Sequence, residues 1–382
     1  MGEEARMAMT RKDAALAPLA GRRVLVTGHT GFKGSWLTLA LVELGAEVSG
    51  FALPPPTEPS HFVLADVEPT LRRHRLGDVR DEAALASLLD EADPEVIFHL
   101  AAQPLVRASY QAPHETFAIN TMGTANLLEQ LRVRARPCAV VIVTSDKVYE
   151  NVGRAEGYRE GDPLGGHDPY SASKAAAEIV AASYRRSFFP PDRLAEHGVR
   201  VATARAGNVI GGGDFARDRI VVDAITALGR GLPIPVRNPL AIRPWQHVLE
   251  PVLGYCTLAA RLLEDESGAL CDAWNFGPRD GDELSVGGLV ERILAAWGEG
   301  RSERVVEARA VHEAAVLRLD ARRADERLGV RSLWSVDEAV ARTVGWYRAL
   351  HDLGIDATAA AARGVMRERT MADLRTYRER AA

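Results

Sequence analysis

Tyr170-Ser-Ala-Ser-Lys174 sets a phenol and an amine four residues apart, on one face of a helix if the alanine-rich stretch that follows is helical. An ammonium beside a phenol stabilises the phenolate, so the pair can make a base that works near neutrality. A Tyr–Lys pair at this spacing is common, and alone it is as readily a surface pair. Upstream, the run VVIVT leads straight into Ser145-Asp146-Lys147. These three polar groups stand at the end of an apolar strand, where open α/β sheets bind ligands, although a turn-forming Ser-Asp is the plainer alternative. The lysines carry weight because they are scarce. Of the 47 basic residues 43 are arginine, and the four lysines are Lys12, Lys33, Lys147 and Lys174. Where arginine is the default cation, a retained lysine is a candidate for work that guanidinium cannot do.

Gly28, Gly31 and Gly34 fall within GHTGFKG, between the run RVLVT and a helical pattern over 32–44. Such glycines let a backbone approach a pyrophosphate, with the helix N-terminus supplying amides and dipole. A tight turn without a ligand would also use glycine, but the strand–turn–helix setting favours a dinucleotide. The second strand, EVSGFALPPP, lacks the acidic residue that usually holds an adenosine ribose, while Lys33 is placed to reach a 2′-phosphate. NAD is therefore preferred and NADP stays open. Asp78-Val79 can bracket an adenine, or Asp78 can cap the next helix.

Strands are expected at 23–27, 47–51, 96–100, 139–144 and 201–205, with helices at 81–92, 115–134 and 171–187 between them. Buried strands alternating with helices predict a Rossmann-type, doubly wound parallel sheet. After about residue 207 the rhythm changes to loops, short strands and helices near 219–230, 248–264, 284–298 and 334–351. The expected organisation is a loose tail over 1–20, a dinucleotide-binding domain over 21–206 and, over 207–382, a smaller mixed α/β region that mainly binds substrate and returns some segments to the sheet. A hydrophobic share of 47% argues against disorder, and a net charge of −5 against phosphate-neutralising nucleic-acid binding. No apolar run is long enough to span a bilayer. Cys138, Cys256 and Cys271 show no disulfide or metal spacing, so a reducing cytoplasm and no metal are expected.

Together GHTGFKG, HLAAQ (99–103), NTMGTANLLE (120–129), TSDKVY (144–149), YSASK (170–174) and LDARRADERLG (319–329) resemble the extended short-chain dehydrogenase/reductase family over nearly the whole chain after residue 20. Within it the sequence is similar to the sugar-nucleotide 4,6-dehydratases. Those enzymes usually carry Thr-Asp-Glu where Ser145-Asp146-Lys147 stands here. The lysine form, with the PPPTEPS loop and RPWQHV (243–248), looks like the branch that acts on cytidine-linked glucose. The resemblance implies oxidation at C4 by a tightly bound, recycled NAD, loss of water across C5 and C6, and return of hydride to C6. It implies Tyr170 as base with Lys174 and Ser145, Asp146 as the acid for the leaving oxygen, and Lys147 at the place of the C5 base. As a base, Lys147 would need a depressed pKa, as from burial beside Lys174; otherwise it would stabilise the enolate. Gly28, Gly31, Phe32, Gly34, Asp78, Val79 and Ala101 would hold the cofactor with Tyr170 and Lys174. Gln103, Asn208, Arg217, Arg219 and Arg243 would hold substrate. His99 and His167 lie beside motifs, where packing or a helix start explains them equally well. A homodimer or higher homo-oligomer, with neither nucleic-acid nor membrane partner, is also implied. The nearest alternatives are a 4-epimerase or a dehydratase for another sugar nucleotide. A non-catalytic NAD(H) sensor would have no need to keep Ser145, Tyr170 and Lys174 together.

Overall fold

The computed structural model describes residues 11–279, 281–305, 317–354 and 360–381. Six strands come from residues 23–206: β1 (Arg23–Thr27), β2 (Glu47–Ala52), β3 (Arg73–Leu76), β4 (Val96–His99), β5 (Cys138–Val143) and β6 (Val199–Ala206). With the later strand Ala273–Phe276 they form a seven-stranded sheet in the order Ala273–Phe276, β6, β5, β4, β1, β2, β3. Every pairing is parallel. β4 and β5 are buried along their whole length, as strands covered by helices on both faces must be. Strand order turns at β1 and β4, which opens a crevice beyond their C-terminal ends.

Alternate residues feed two cores. Val24, Val26, Phe98 and Val141 pack with the helices Phe32–Glu43 and Leu249–Glu264. Leu25, Ile97, Val140 and Ile142 pack on the other face with Glu82–Ala92, Gly123–Arg134 and Pro169–Ser187. A third core, built around Trp245, Ile293, Trp297 and Trp346, belongs to the region after residue 207. From that region, Leu249–Glu264 lies against the sheet and Ala273–Phe276 extends its edge.

Three local outcomes differ from expectation. The loose tail is overturned for residues 11–19: Arg11–Leu16 is helical, Ala17–Leu19 adds a 3-10 turn, and Leu16 and Leu19 are buried against the core. A single helical turn has no readable periodicity, and packing on Leu249–Glu264 holds it. Residues 1–10 lie outside the described residues. The helix over 115–134 is broken into Pro113–Phe117, a π-turn at Ala118–Met122 and Gly123–Arg134. In that turn Asn120 accepts from the Gln103 amide (2.8 Å) and donates to Ser173 Oγ (2.9 Å), pinning it to the Tyr170 helix. A C-terminal helix, Ala360–Ala381, was not foreseen; it packs through Met366, Leu374 and Tyr377. Among the described residues, no helix is long and apolar enough to cross a membrane.

Candidate active site

A cavity of about 1450 Å³ lies along the C-terminal ends of the strands, lined from one end by the glycine turn and from the other by loops of the later region. Gly28 has φ +78°, and a Cβ there would meet the Ala101 backbone nitrogen at 2.7 Å. At Gly34 a Cβ would lie 2.1 Å from the Gly28 carbonyl oxygen, so helix and turn touch without side chains. A Cβ at Gly31 would meet only the Gly28 oxygen within 4 Å, at 3.3 Å. The helix Phe32–Glu43 has Gly31 as its N-cap with no capping side chain. Its first-turn amides are thus open to an anion, which suits a dinucleotide pyrophosphate. Phe32, Asp78, Val79 and Ala101 line the same end. Asp78 is no helix cap: Asp81 accepts from Ala84 N, while Asp78 is held by Arg80 at 2.6 Å, a contact that lowers its pKa.

Lys33 overturns an expectation. It does not point toward the ribose end of β2; its Nζ lies 3.4 Å from Tyr255 Oη, beside Lys174, Asp146 and Arg219. Burial pushes this ammonium down to about 7, helped by repulsion from Arg219 and Lys174 and opposed by Asp146.

At the reaction centre, Asp168 caps the Tyr170 helix by accepting from Ser171 N (2.9 Å), with Pro169 in the first turn. Lys174 donates to the Val143 carbonyl at 3.0 Å, tying the helix to the last residue of β5. Burial lowers Lys174 to about 8, with Glu178 opposing. Tyr170 does not show the lowered phenol that its neighbouring amine suggested. Burial pushes it up to about 12, and its hydrogen bond with Ser145 only partly offsets that. Ser145 Oγ donates to Asp146 Oδ1 at 3.0 Å, and the second Asp146 oxygen is buried without a hydrogen-bond partner. Lys147 departs from the burial beside Lys174 that a base would need. Its side chain is 30% exposed, with Nζ 3.6 Å from Asp146 Oδ1.

Asn208, Arg217, Arg219 and Arg243 line the opposite wall, together with Arg107, Arg237 and Trp245. Arg219 is paired with Asp214 at 2.6 Å, and the Asn208 side-chain oxygen is buried without a hydrogen-bond partner. Gln103 is a correction: it is not part of the lining. Its side-chain amide donates to Leu105 O and Thr116 Oγ1 and accepts from Leu105 N at 2.6 Å, so its polar atoms hold the loop after β4. His99 is a core residue bonded to Thr27 Oγ1 at 2.8 Å, and His167 lines the cavity. The sequence reading missed Tyr255 and Glu178, although Glu178 repeats the four-residue helical step beyond Lys174.

The parallel sheet, the glycine turn and a Tyr–Lys helix beside β5 define a dinucleotide-binding protein of the short-chain dehydrogenase/reductase type. The chain belongs to the family described as GDP-mannose 4,6 dehydratase, whose model matches residues 25–348. It is 47% identical to a CDP-glucose 4,6-dehydratase of Salmonella typhimurium, over 86% of this chain and 91% of that one. Identity to a dTDP-glucose 4,6-dehydratase of Streptomyces antibioticus is 32%, over 85% and 92% of the two chains. The structure of the Streptomyces venezuelae dTDP-glucose 4,6-dehydratase DesIV, with NAD and TYD bound, aligns with TM-score 0.72 at 26% identity, covering 86% of this chain and 98% of that one. A UDP-glucuronic acid 4-epimerase from Bacillus cereus reaches the same TM-score of 0.72 at 20% identity, covering 86% of this chain and 99% of that one. The fold by itself thus does not separate dehydration from epimerisation.

Proposed function

We propose that this protein is a hydro-lyase that converts CDP-glucose to CDP-4-dehydro-6-deoxyglucose and water, with NAD as a recycled cofactor. The observation that carries the reading is Asp146-Lys147 at the end of β5, in the same cavity as Tyr170 and Lys174. Dehydration needs an acid for the leaving hydroxyl and a group that assists loss of the C5 proton beyond the oxidation centre, whereas epimerisation at C4 does not. The relative at 47% identity supports the cytidine-linked substrate.

Gly28, Gly31, Phe32, Gly34, Asp78, Val79 and Ala101 would hold NAD, which when bound would supply the hydride acceptor for C4 and the donor for C6. Tyr170 takes the 4-hydroxyl proton, with Ser145 orienting it and Lys174 behind it. The resulting sugar 4-ketone makes the C5 proton acidic. Asp146, a lining residue with one oxygen unpartnered, gives a proton to the departing 6-hydroxyl. Lys147, a third exposed against Asp146, stabilises the enolate as a cation, while the C5 proton passes to solvent in the open cavity and a solvent proton returns to C5 as hydride reaches C6. Asn208, Arg217, Arg219 and Arg243 hold the sugar and diphosphate. Exposed Ile179 and Met122, on and beside the Tyr170 helix, favour a homodimer formed through that face. Three buried free cysteines suit a reducing compartment such as the cytoplasm.

The test offers the purified protein CDP-, dTDP-, UDP- and GDP-glucose and follows product mass. Loss of one water from CDP-glucose is expected. Turnover of another nucleotide in its place, or an isomer of unchanged mass, would overturn the reading.

A further inference from the structure

Glu178 lies outside the cavity lining, one helical turn beyond Lys174, with its residue only 3% exposed. One carboxylate oxygen accepts from Thr144 Oγ1. The other accepts from Thr203 Oγ1 and from Arg205 Nη2, each at 2.7 Å. Arg205 continues to Tyr149 Oη at 2.9 Å and to the Glu160 carbonyl at 3.0 Å. Burial works against the Arg205 charge, but Glu178 and Tyr149 hold it firmly protonated. Thr144 immediately precedes Ser145, so a single buried group spans the helix that carries Tyr170 and Lys174, the end of β5 that carries Ser145-Asp146-Lys147, and β6.

A buried ion pair is a weak source of stability, because an apolar pair of similar volume is often as stable. A pair that links the two elements bearing the reacting groups has another use. We propose that Glu178 is a positioning residue of the reaction centre, clamping the Tyr170–Lys174 helix to the end of β5 and facing Lys174 as its counter-charge. The inference rests on the dehydratase reading and deepens it. Lys174 is also faced by Lys33 from the helix Phe32–Glu43 and by His99 from β4, while Glu178 is faced by Arg205 from β6 and Arg185 from its own helix. Glu178 is the carboxylate that opposes the burial of Lys174. Without it, Lys174 would lose its proton at lower pH.

Four lysines make a direct test practical, since side-chain labelling of the full chain gives one NMR signal for each. Lys174 is expected to titrate near 8 in the wild type. Glu178→Gln should lower that midpoint by about one pH unit. Glu178→Asp, which keeps the charge, should bring it back toward the wild-type value. Thr144→Val removes the clamp but not the charge; it should leave the midpoint in place and reduce kcat about tenfold, with KM changed less than about twofold. An unmoved Lys174 midpoint in a folded Glu178→Gln chain overturns the counter-charge, and a wild-type kcat in Thr144→Val overturns the clamp. If Glu178→Gln does not fold, the aspartate and Thr144 variants decide. The titration needs no turnover, so a wild type that dehydrates no sugar nucleotide would sink the function while leaving the role of Glu178 open to measurement.

Discussion

The two walls of the cavity use the same residue type in opposite settings. On the inner wall, Lys33 is half-buried and Lys174 buried, and desolvation brings their ammonium groups down to about 7 and about 8. On the outer wall, Lys147 stands 30% exposed against Asp146, beside loops that carry several arginines. The inner wall is built from strand ends and helices whose backbones touch. The outer wall joins the turn after β5 that carries Asp146 and Lys147 to loops that follow residue 207, and it faces the space that a sugar nucleotide would fill. Burial, rather than residue identity, is what brings down the two ammonium groups of the inner wall.

If that division is right, the largest effect belongs to the inner wall. Tyr170→Phe removes the proposed base while keeping the ring that fills its site. We expect kcat to fall by about 10³-fold or more with thermal stability nearly unchanged. Retention of most of the activity would take the base away from this wall. On the outer wall, Lys147→Ala should cost about 10²-fold in water loss, so that reduced cofactor accumulates and is seen by its absorbance. Lys147→Arg should recover part of the rate if the side chain acts as a cation, because guanidinium keeps its charge but cannot take a proton at neutral pH. An arginine variant no better than alanine would move Lys147 back toward the C5 base, and normal dehydration by the alanine variant would make the residue incidental.

Much of the inner wall was legible because local chemistry dictates it. The three glycines are required by backbone contacts within one turn, the Tyr–Lys spacing is a helical step, and the apolar runs of β1, β4 and β5 have few alternatives to burial in a parallel sheet. What failed was direction. Lys33 sits in the cofactor motif, yet a residue's place in a motif does not say which way its side chain leaves the helix, and it leaves toward Tyr255. Gln103 has the polarity and position of a substrate ligand, but Leu105 and Thr116 engage its side chain. The phenol of Tyr170 is raised because burial, invisible in a spacing argument, outweighs its neighbours. The helix Arg11–Leu16 and the role of Glu178 depend on partners far along the chain, on Leu249–Glu264 and Arg205, and no local pattern announces them.

The smallest effect concerns stability and sharpens the comparison most directly. Lys33 has a pKa lowered from 10.5 to about 7 in the folded chain. Between those values the unfolded chain holds a proton that the folded chain lacks, so this residue makes stability rise with pH across that window. Below about 7 both states carry the proton, and the cost of enclosing the charge is present in full. Lys33→Met keeps the length and apolar stem of the side chain and removes the charge. Its gain should therefore be greatest at about pH 6, on the order of 2 °C in Tm, and shrink toward about pH 10. Equal gains for Lys33→Met at both ends of the range would mean that its ammonium is hydrated in the cavity and that the inner wall is as wet as the outer one.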